Sequence, residues 1–164
     1  MIRGTETTDA VRKKIMAWCS KQERCQSDVL EKLKELGVVK QDALDLLKEL
    51  EDEGFINSRR FAESYIRGKF HYKKWGKTKI KHRLLSKGID ECIIEEIINE
   101  VIDEEEYTAM IFEQLRKKNQ TITEDDDYKR KALIIRFGQS RGYETEITLR
   151  CADKLMSTIY DDNI

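Results

Sequence analysis

The sequence predicts an all-α fold: an elongated, curved array of three tandem three-helix repeats. Three observations carry that prediction. Proline is absent from all 164 residues, so no segment holds the strongest helix breaker. Apolar residues recur at three- and four-residue intervals, the spacing that lines one face of a helix. Hydrophobic content is 39% against 38% charged, which suits a thin core under much surface. Repeats that touch only their neighbours build a long, curved body of that kind.

Residues 1–8 are polar and are expected to fray. From Asp9, the series Val11, Ile15, Trp18 and Cys19 predicts a helix running to about Arg24. Ser27 and Asp28 favour a helix start, and Val29, Leu30, Leu33 and Leu36 continue the stripe to Gly37, which can supply a left-handed helix end. A third helix places Ala43, Leu46, Leu47 and Leu50 on one face and stops at Gly54.

The order then restarts. Ser58 opens a helix bearing Phe61, Ala62, Tyr65 and Ile66, with a break at Trp75-Gly76. A short helix with Ile80, Leu84 and Leu85 runs to Gly88, and Asp90 caps another with Ile93, Ile94, Ile97, Ile98, Val101 and Ile102. That run is rich in β-branched residues. A strand would set Ile93 and Ile94 on opposite faces, whereas a helix keeps all six on one side. In the last round Tyr107, Met110, Ile111 and Leu115 share a helix, and 116–127 is a polar connector. Tyr128, Ala132, Ile135 and Phe137 make the next helix, and Ile147, Cys151, Ala152 and Leu155 the last.

Similar punctuation closes the second helix of each round: Leu36-Gly37-Val38, Lys87-Gly88-Ile89 and Arg141-Gly142-Tyr143. Near-constant spacing is the mark of repeats. The expected units are 9–56, 57–103 and 104–158, with the middle one carrying the densest charge.

That charge lies in Arg59–Lys87, with eleven Lys and Arg and one acid, Glu63, whereas Asp90–Glu106 holds nine acids and no Lys or Arg. The total of −1 conceals the separation. Like charges repel by about 1 kcal/mol for a pair 4 Å apart in water, so a net +10 stretch needs an offsetting partner. The acidic helix that follows is the internal candidate; nucleic acid or an acidic protein groove is the external one. At 100° per residue, Lys79, Arg83 and Lys87 stack opposite Ile80, Leu84 and Leu85. Arg60, Arg67 and His71 share the outer flank of the preceding helix, and Lys73, Lys74 and Lys77 surround the Trp75-Gly76 turn. The candidate contact patch is therefore Arg60, Arg67, Lys73, Lys74, Lys77, Lys79, Arg83 and Lys87. Lys69 and Lys81 point toward apolar sides and are read as structural. Of the interleaved aromatics, only Tyr72 and Trp75 are placed to stack on bases.

Other chemistry is not indicated. There is no Gly-rich phosphate loop, GxSxG or HExxH. Cys19, Cys25, Cys92 and Cys151 form no CxxC pair, and with His71 and His82 they give no zinc pattern; they read as reduced, half-buried thiols. Neither acidic run has the form of a calcium loop. No catalytic residue, metal, cofactor or small-molecule substrate is expected. The apolar runs are too short to span a membrane and the N-terminus has no apolar signal core, so the expected location is cytoplasmic.

The elements Gly54-Phe55-Ile56-Asn57-Ser58-Arg59-Arg60-Phe61-Ala62, Tyr65-Ile66, Lys74-Trp75-Gly76, Lys79-Ile80, Leu84 and Lys87-Gly88-Ile89 together resemble the RecX family of bacterial recombination regulators. The resemblance is densest over 54–90, weaker over 10–53 and topological over 107–156. One departure is Asn57-Ser58, where the family tends to carry an acid; either residue can still cap a helix, but a salt bridge from that acid is lost. The resemblance implies tandem three-helix repeats without catalytic activity. It implies binding in the groove of the RecA filament on single-stranded DNA, with DNA itself met weakly or indirectly. The expected consequence is modulation, mainly inhibition, of recombinase, ATPase and co-protease activity in recombination and the SOS response. Two other classes remain open: a stand-alone, sequence-nonspecific DNA-binding module and a helical protein-interaction adaptor.

Overall fold

The computed structural model describes residues 5–161. They form nine α-helices and no strand: α1 (Thr5–Lys21), α2 (Gln26–Glu35), α3 (Lys40–Asp52), α4 (Ser58–Arg67), α5 (Lys77–Ser86), α6 (Glu91–Val101), α7 (Glu104–Thr121), α8 (Asp127–Arg141) and α9 (Thr145–Asp161). A π-helical turn, Gly68–Tyr72, extends α4. Helix α1 starts four residues ahead of the expected Asp9; of the segment expected to fray, residues 1–4 lie outside the described residues.

The helix ends follow from local chemistry. At Gly37 the N–H donates to the Lys34 carbonyl (3.0 Å) and the Val38 N–H to the Leu33 carbonyl (3.0 Å). Both bonds require the left-handed backbone of Gly37, φ +77°, which glycine adopts without a Cβ clash. The pattern repeats at Gly88-Ile89 and Gly142-Tyr143, which explains the recurring punctuation. The starts are capped by side chains. Asn57 accepts from the Arg60 N–H (2.8 Å), Asp90 from Cys92 (2.9 Å), Asp103 from Glu106 (2.9 Å) and Asp126 from Lys129 (2.8 Å). Helix α2 begins one residue before Ser27, with Cys25 at the cap and Asp28 reaching back toward the Cys25 N–H (3.5 Å).

Two stretches depart from expectation. Helix α7 continues through Thr121, taking in half of the predicted connector. That segment has no Gly or Pro, and its charges are held: Arg116 grips Glu113 through two bonds (2.7 and 2.9 Å). Helix α8 buries Ile134 and Gly138 rather than Tyr128, Ala132, Ile135 and Phe137; Tyr128 and Ala132 are exposed. The glycine was invisible to an apolar-stripe reading. A Cβ on Gly138 would stand 2.6 Å from Thr148 Cγ2, so α8 and α9 touch where neither carries a large side chain.

The described residues divide into two compact units. The first comprises the chain up to Tyr65 together with Leu84–Ile97. Its core is Ile15, Cys19, Val29, Leu33, Ala43, Leu46, Leu47, Leu50 and Ile56. The second comprises Ile66–Arg83 and the chain from Ile98 onward; α7, α8 and α9 pack on one another there, with Phe70, Tyr107, Ile111 and Leu115 buried. Helices α4, α5 and α6 each contribute residues to both units. Cys19, Cys25 and Cys151 are buried rather than half-buried, and burial pushes their thiols up; Cys92 is exposed. No helix among the described residues is long and apolar enough to cross a membrane.

Candidate functional site

The basic stretch separates into residues whose side chains have internal partners and a turn whose lysine side chains make no hydrogen bond or ion pair among the described residues. In the first unit, Arg60 Nε pairs with Glu23 (2.6 Å), and a terminal nitrogen donates to the Gly54 carbonyl (3.0 Å). Its guanidinium ties the start of α4 to the preceding loop. Lys87 pairs with Asp28 Oδ1 at 2.8 Å, and the Ser27 hydroxyl donates to the Lys87 carbonyl at 3.2 Å. Burial pushes the Asp28 carboxyl up, but the Lys87 ammonium and the Cys25 N–H overcome it and hold the group below its ordinary value. The same bond to Asp28 raises Lys87.

In the second unit, Lys77 pairs with Glu104 and lies over the Tyr107 ring at 4.7 Å. Lys79 lies over Trp75 at 4.3 Å and donates to the Ser140 carbonyl at 3.2 Å. Lys69 also sits over Trp75, at 4.7 Å, in keeping with its structural reading. Trp75 is therefore half-buried under two ammonium groups and not placed to stack on a base. The acidic stretch supplies part of the offset: Glu96 pairs with Arg59 (2.9 Å), Glu104 with Lys77, and Glu106 faces His71 Nδ1 at 3.9 Å. Arg67 and Arg83 are exposed and are also engaged in interactions.

What remains is Tyr72-Lys73-Lys74. Tyr72 is 85% exposed. Lys73 is exposed and Lys74 half-buried, and neither ammonium makes a hydrogen bond or ion pair among the described residues. Lys74 is the one non-glycine residue among them with positive φ, at +55°. The π-turn adds a residue to this helix end: the Trp75 N–H donates to the Lys69 carbonyl (3.0 Å) and the Lys74 N–H to the Phe70 carbonyl (3.2 Å). Each bond spans one residue more than its counterpart at Gly37 and Val38.

A rigid seat fixes this turn. The Gly76 N–H donates to the Arg141 carbonyl at 2.8 Å, and the Thr78 N–H to the Gly142 carbonyl at 3.2 Å. A Cβ on Gly76 would lie 2.0 Å from the Gly142 oxygen, and one on Gly142 would lie 2.1 Å from Lys79 Cβ. Backbone meets backbone, so only glycine fits at either position. The Tyr143 hydroxyl donates to the Lys74 carbonyl at 2.8 Å, holding the residue in its left-handed conformation. Alongside, the Lys77 N–H donates to the Tyr107 hydroxyl (2.9 Å), which donates to Glu144 Oε2 (2.5 Å). Burial and the bond to Glu144 push the Tyr107 phenol far up, so it stays a donor. Sequence reasoning found the Trp75-Gly76 turn but missed Tyr107, Tyr143 and Glu144. The repeated Gly142-Tyr143 punctuation marked a helix end and gave no sign that this end carries another turn.

Comparison with known proteins agrees over the same segments. Residues 57–98 match the family description "RecX, second three-helix domain", and residues 104–151 match "RecX, third three-helix domain". Regulatory protein RecX of Chlorobium phaeobacteroides is 32% identical over 109 residues, covering 66% of this chain and 69% of that protein. Regulatory protein RecX of Clostridium beijerinckii is 35% identical over 123 residues, 73% of this chain and 54% of the relative; the chain spans about half that relative's length. The crystal structure of RecX from Lactobacillus salivarius superposes with a TM-score of 0.78 at 22% identity, over 93% of this chain and 98% of that one. A second crystal structure, of a regulatory protein RecX, gives 0.80 at 20% identity over 90% and 73%; at such identities the likeness is one of fold. Two consecutive three-helix domains and a relative matched over more than two thirds of its length carry the conclusion that this chain belongs to the RecX family of regulatory proteins.

Proposed function

We propose that this chain regulates the RecA recombinase by binding RecA filaments on single-stranded DNA in their groove, mainly lowering recombinase, ATPase and co-protease activity. Family membership carries the reading, since the relatives are named regulatory protein RecX. The chemistry agrees with it. The charges are sorted into blocks of opposite sign, which suits a partner offering both protein and polyanion. The repeats 9–56, 57–103 and 104–158 are the units of binding, the chain acts without catalysis, and it works in the cytoplasm. Within the patch Arg60, Arg67, Lys73, Lys74, Lys77, Lys79, Arg83 and Lys87, the contact falls chiefly on exposed Lys73 and half-buried Lys74. Arg60, Lys77, Lys79 and Lys87 hold the molecule's own chain together, and Arg67 and Arg83 are engaged within it as well.

The test is a titration of the purified chain into RecA hydrolysing ATP on single-stranded DNA. Saturating protein should lower the rate. The double change Lys73→Glu, Lys74→Glu should raise the concentration needed by about tenfold, with helicity by circular dichroism unaltered. An ATPase rate indifferent to the wild-type chain would refute the reading. A sequence-reading helix is disfavoured, because the basic residues of α5 are mostly lysines engaged internally, and lysine positions on phosphate without specifying bases.

A further inference from the structure

We infer that the Tyr72-Lys73-Lys74 turn is a single-stranded nucleic-acid contact, with the Tyr72 ring stacking on an unpaired base and the two lysines meeting the flanking phosphates. The inference deepens the filament reading and rests on it for its setting. Its grounds are three uncommon local features that fall within residues 68–74. The first is the π-turn Gly68–Tyr72, a rare element that recurs at functional sites. The second is Lys74 at φ +55°. Every other left-handed position among the described residues is glycine, and a side chain there costs about 1–2 kcal/mol. Residues kept in such conformations against that cost cluster at working sites. The third is Tyr72, 85% exposed, while Phe61 and Phe70 in the same stretch are buried and Tyr65 and Trp75 half-buried.

Charge alone would suit an acidic protein groove. The ring decides for nucleic acid. A tyrosine held in water, followed in the chain by two lysines, gains little in the free protein. Its flat face gains on a planar partner, and a ring next to cations suits a strand's base next to phosphates. A duplex keeps its base faces covered, so the partner is a single strand. Lysine specifies no base, so binding is tolerant of sequence. The seat supports the assignment: Gly76 on Gly142, and the Tyr143 hydroxyl on the Lys74 carbonyl, fix the turn before any ligand arrives, so little ordering cost falls on binding.

The experiment is fluorescence anisotropy of a labelled oligo-dT with the full chain, run beside the RecA ATPase titration. Tyr72→Ala should weaken oligo-dT binding about five- to a hundredfold, and Tyr72→Phe should stay within about twofold of wild type. Lys73→Gln with Lys74→Gln should flatten the slope of log affinity against log salt by about 1.4, or 0.7 per phosphate contact on a single strand. Unchanged oligo-dT binding by Tyr72→Ala, or no binding by the wild type, overturns the inference. If Tyr72→Ala then loses ATPase inhibition with oligo-dT binding intact, the turn meets protein and the filament reading survives without this contact. If oligo-dT binding falls as expected while wild-type protein leaves the ATPase untouched, the contact stands and the filament reading fails.

Discussion

Lys74 occupies a helix-end position that glycine fills at 37, 54, 88 and 142. Its left-handed backbone is imposed by the Gly76 seat and by the Tyr143 hydroxyl on its carbonyl. Lys74→Gly should therefore stabilise the protein by about 1 kcal/mol, read as a higher urea midpoint, while weakening oligo-dT binding. A gain in stability with a loss of binding separates a working residue from a packing one. The neighbouring glycines make a matched pair. Gly76→Ala drives a methyl to 2.0 Å from the Gly142 oxygen, whereas a Cβ on Gly68 meets nothing within 4 Å. Gly76→Ala should cost about 3 kcal/mol and Gly68→Ala less than about 1 kcal/mol, both measurable by chemical denaturation. The sequence marked Trp75-Gly76 as a break, but it could not say why glycine is required there. The reason is a backbone 66 residues further along the chain, at Gly142.

Among the elements, α5 shows how a basic stripe read from helical angles can mislead. Its spacing is regular, and Ile80 and Leu84 are buried as predicted, whereas Leu85, expected beside them, is exposed. Yet Lys77 and Lys79 at its start hold Glu104, Ser140 and Trp75, and Lys87 just beyond its end holds Asp28. Angle sorts residues into faces; it does not reveal what another helix brings to that face. The Asp28–Lys87 pair gives a pH prediction. Asp28 titrates below its ordinary 3.8 in the folded chain, so its contribution is present above that value. It is lost as pH falls through the lower folded value. Lys87 titrates above its ordinary 10.5, so its share is intact below that value and disappears as pH climbs through the higher folded one. Asp28→Asn should cost about 1–2 kcal/mol at pH 7, and urea melts should show the gap from wild type narrowing toward pH 3.

At the scale of the whole molecule, the sorted charge is partly resolved within the chain, by Glu96 on Arg59, Glu104 on Lys77 and Glu23 on Arg60. Reversing Lys79, Arg83 and Lys87 together would therefore confound binding with folding. Lys73 and Lys74 are the cleaner probe, and the RecA ATPase titration should show them lowering potency without loss of helicity.

The sequence by itself determined the all-helical character, most helix ends and the family. Those depend on interactions within a few residues: apolar spacing, caps such as Asp90 and Asp103, and left-handed glycines such as Gly37. Tertiary structure decided which cations are paired within the chain and which aromatic of the basic stretch is left exposed. Ion pairing and stacking act between atoms a few ångströms apart, and the groups that quench Lys77, Glu104 and Tyr107, reach it only once distant turns have come together.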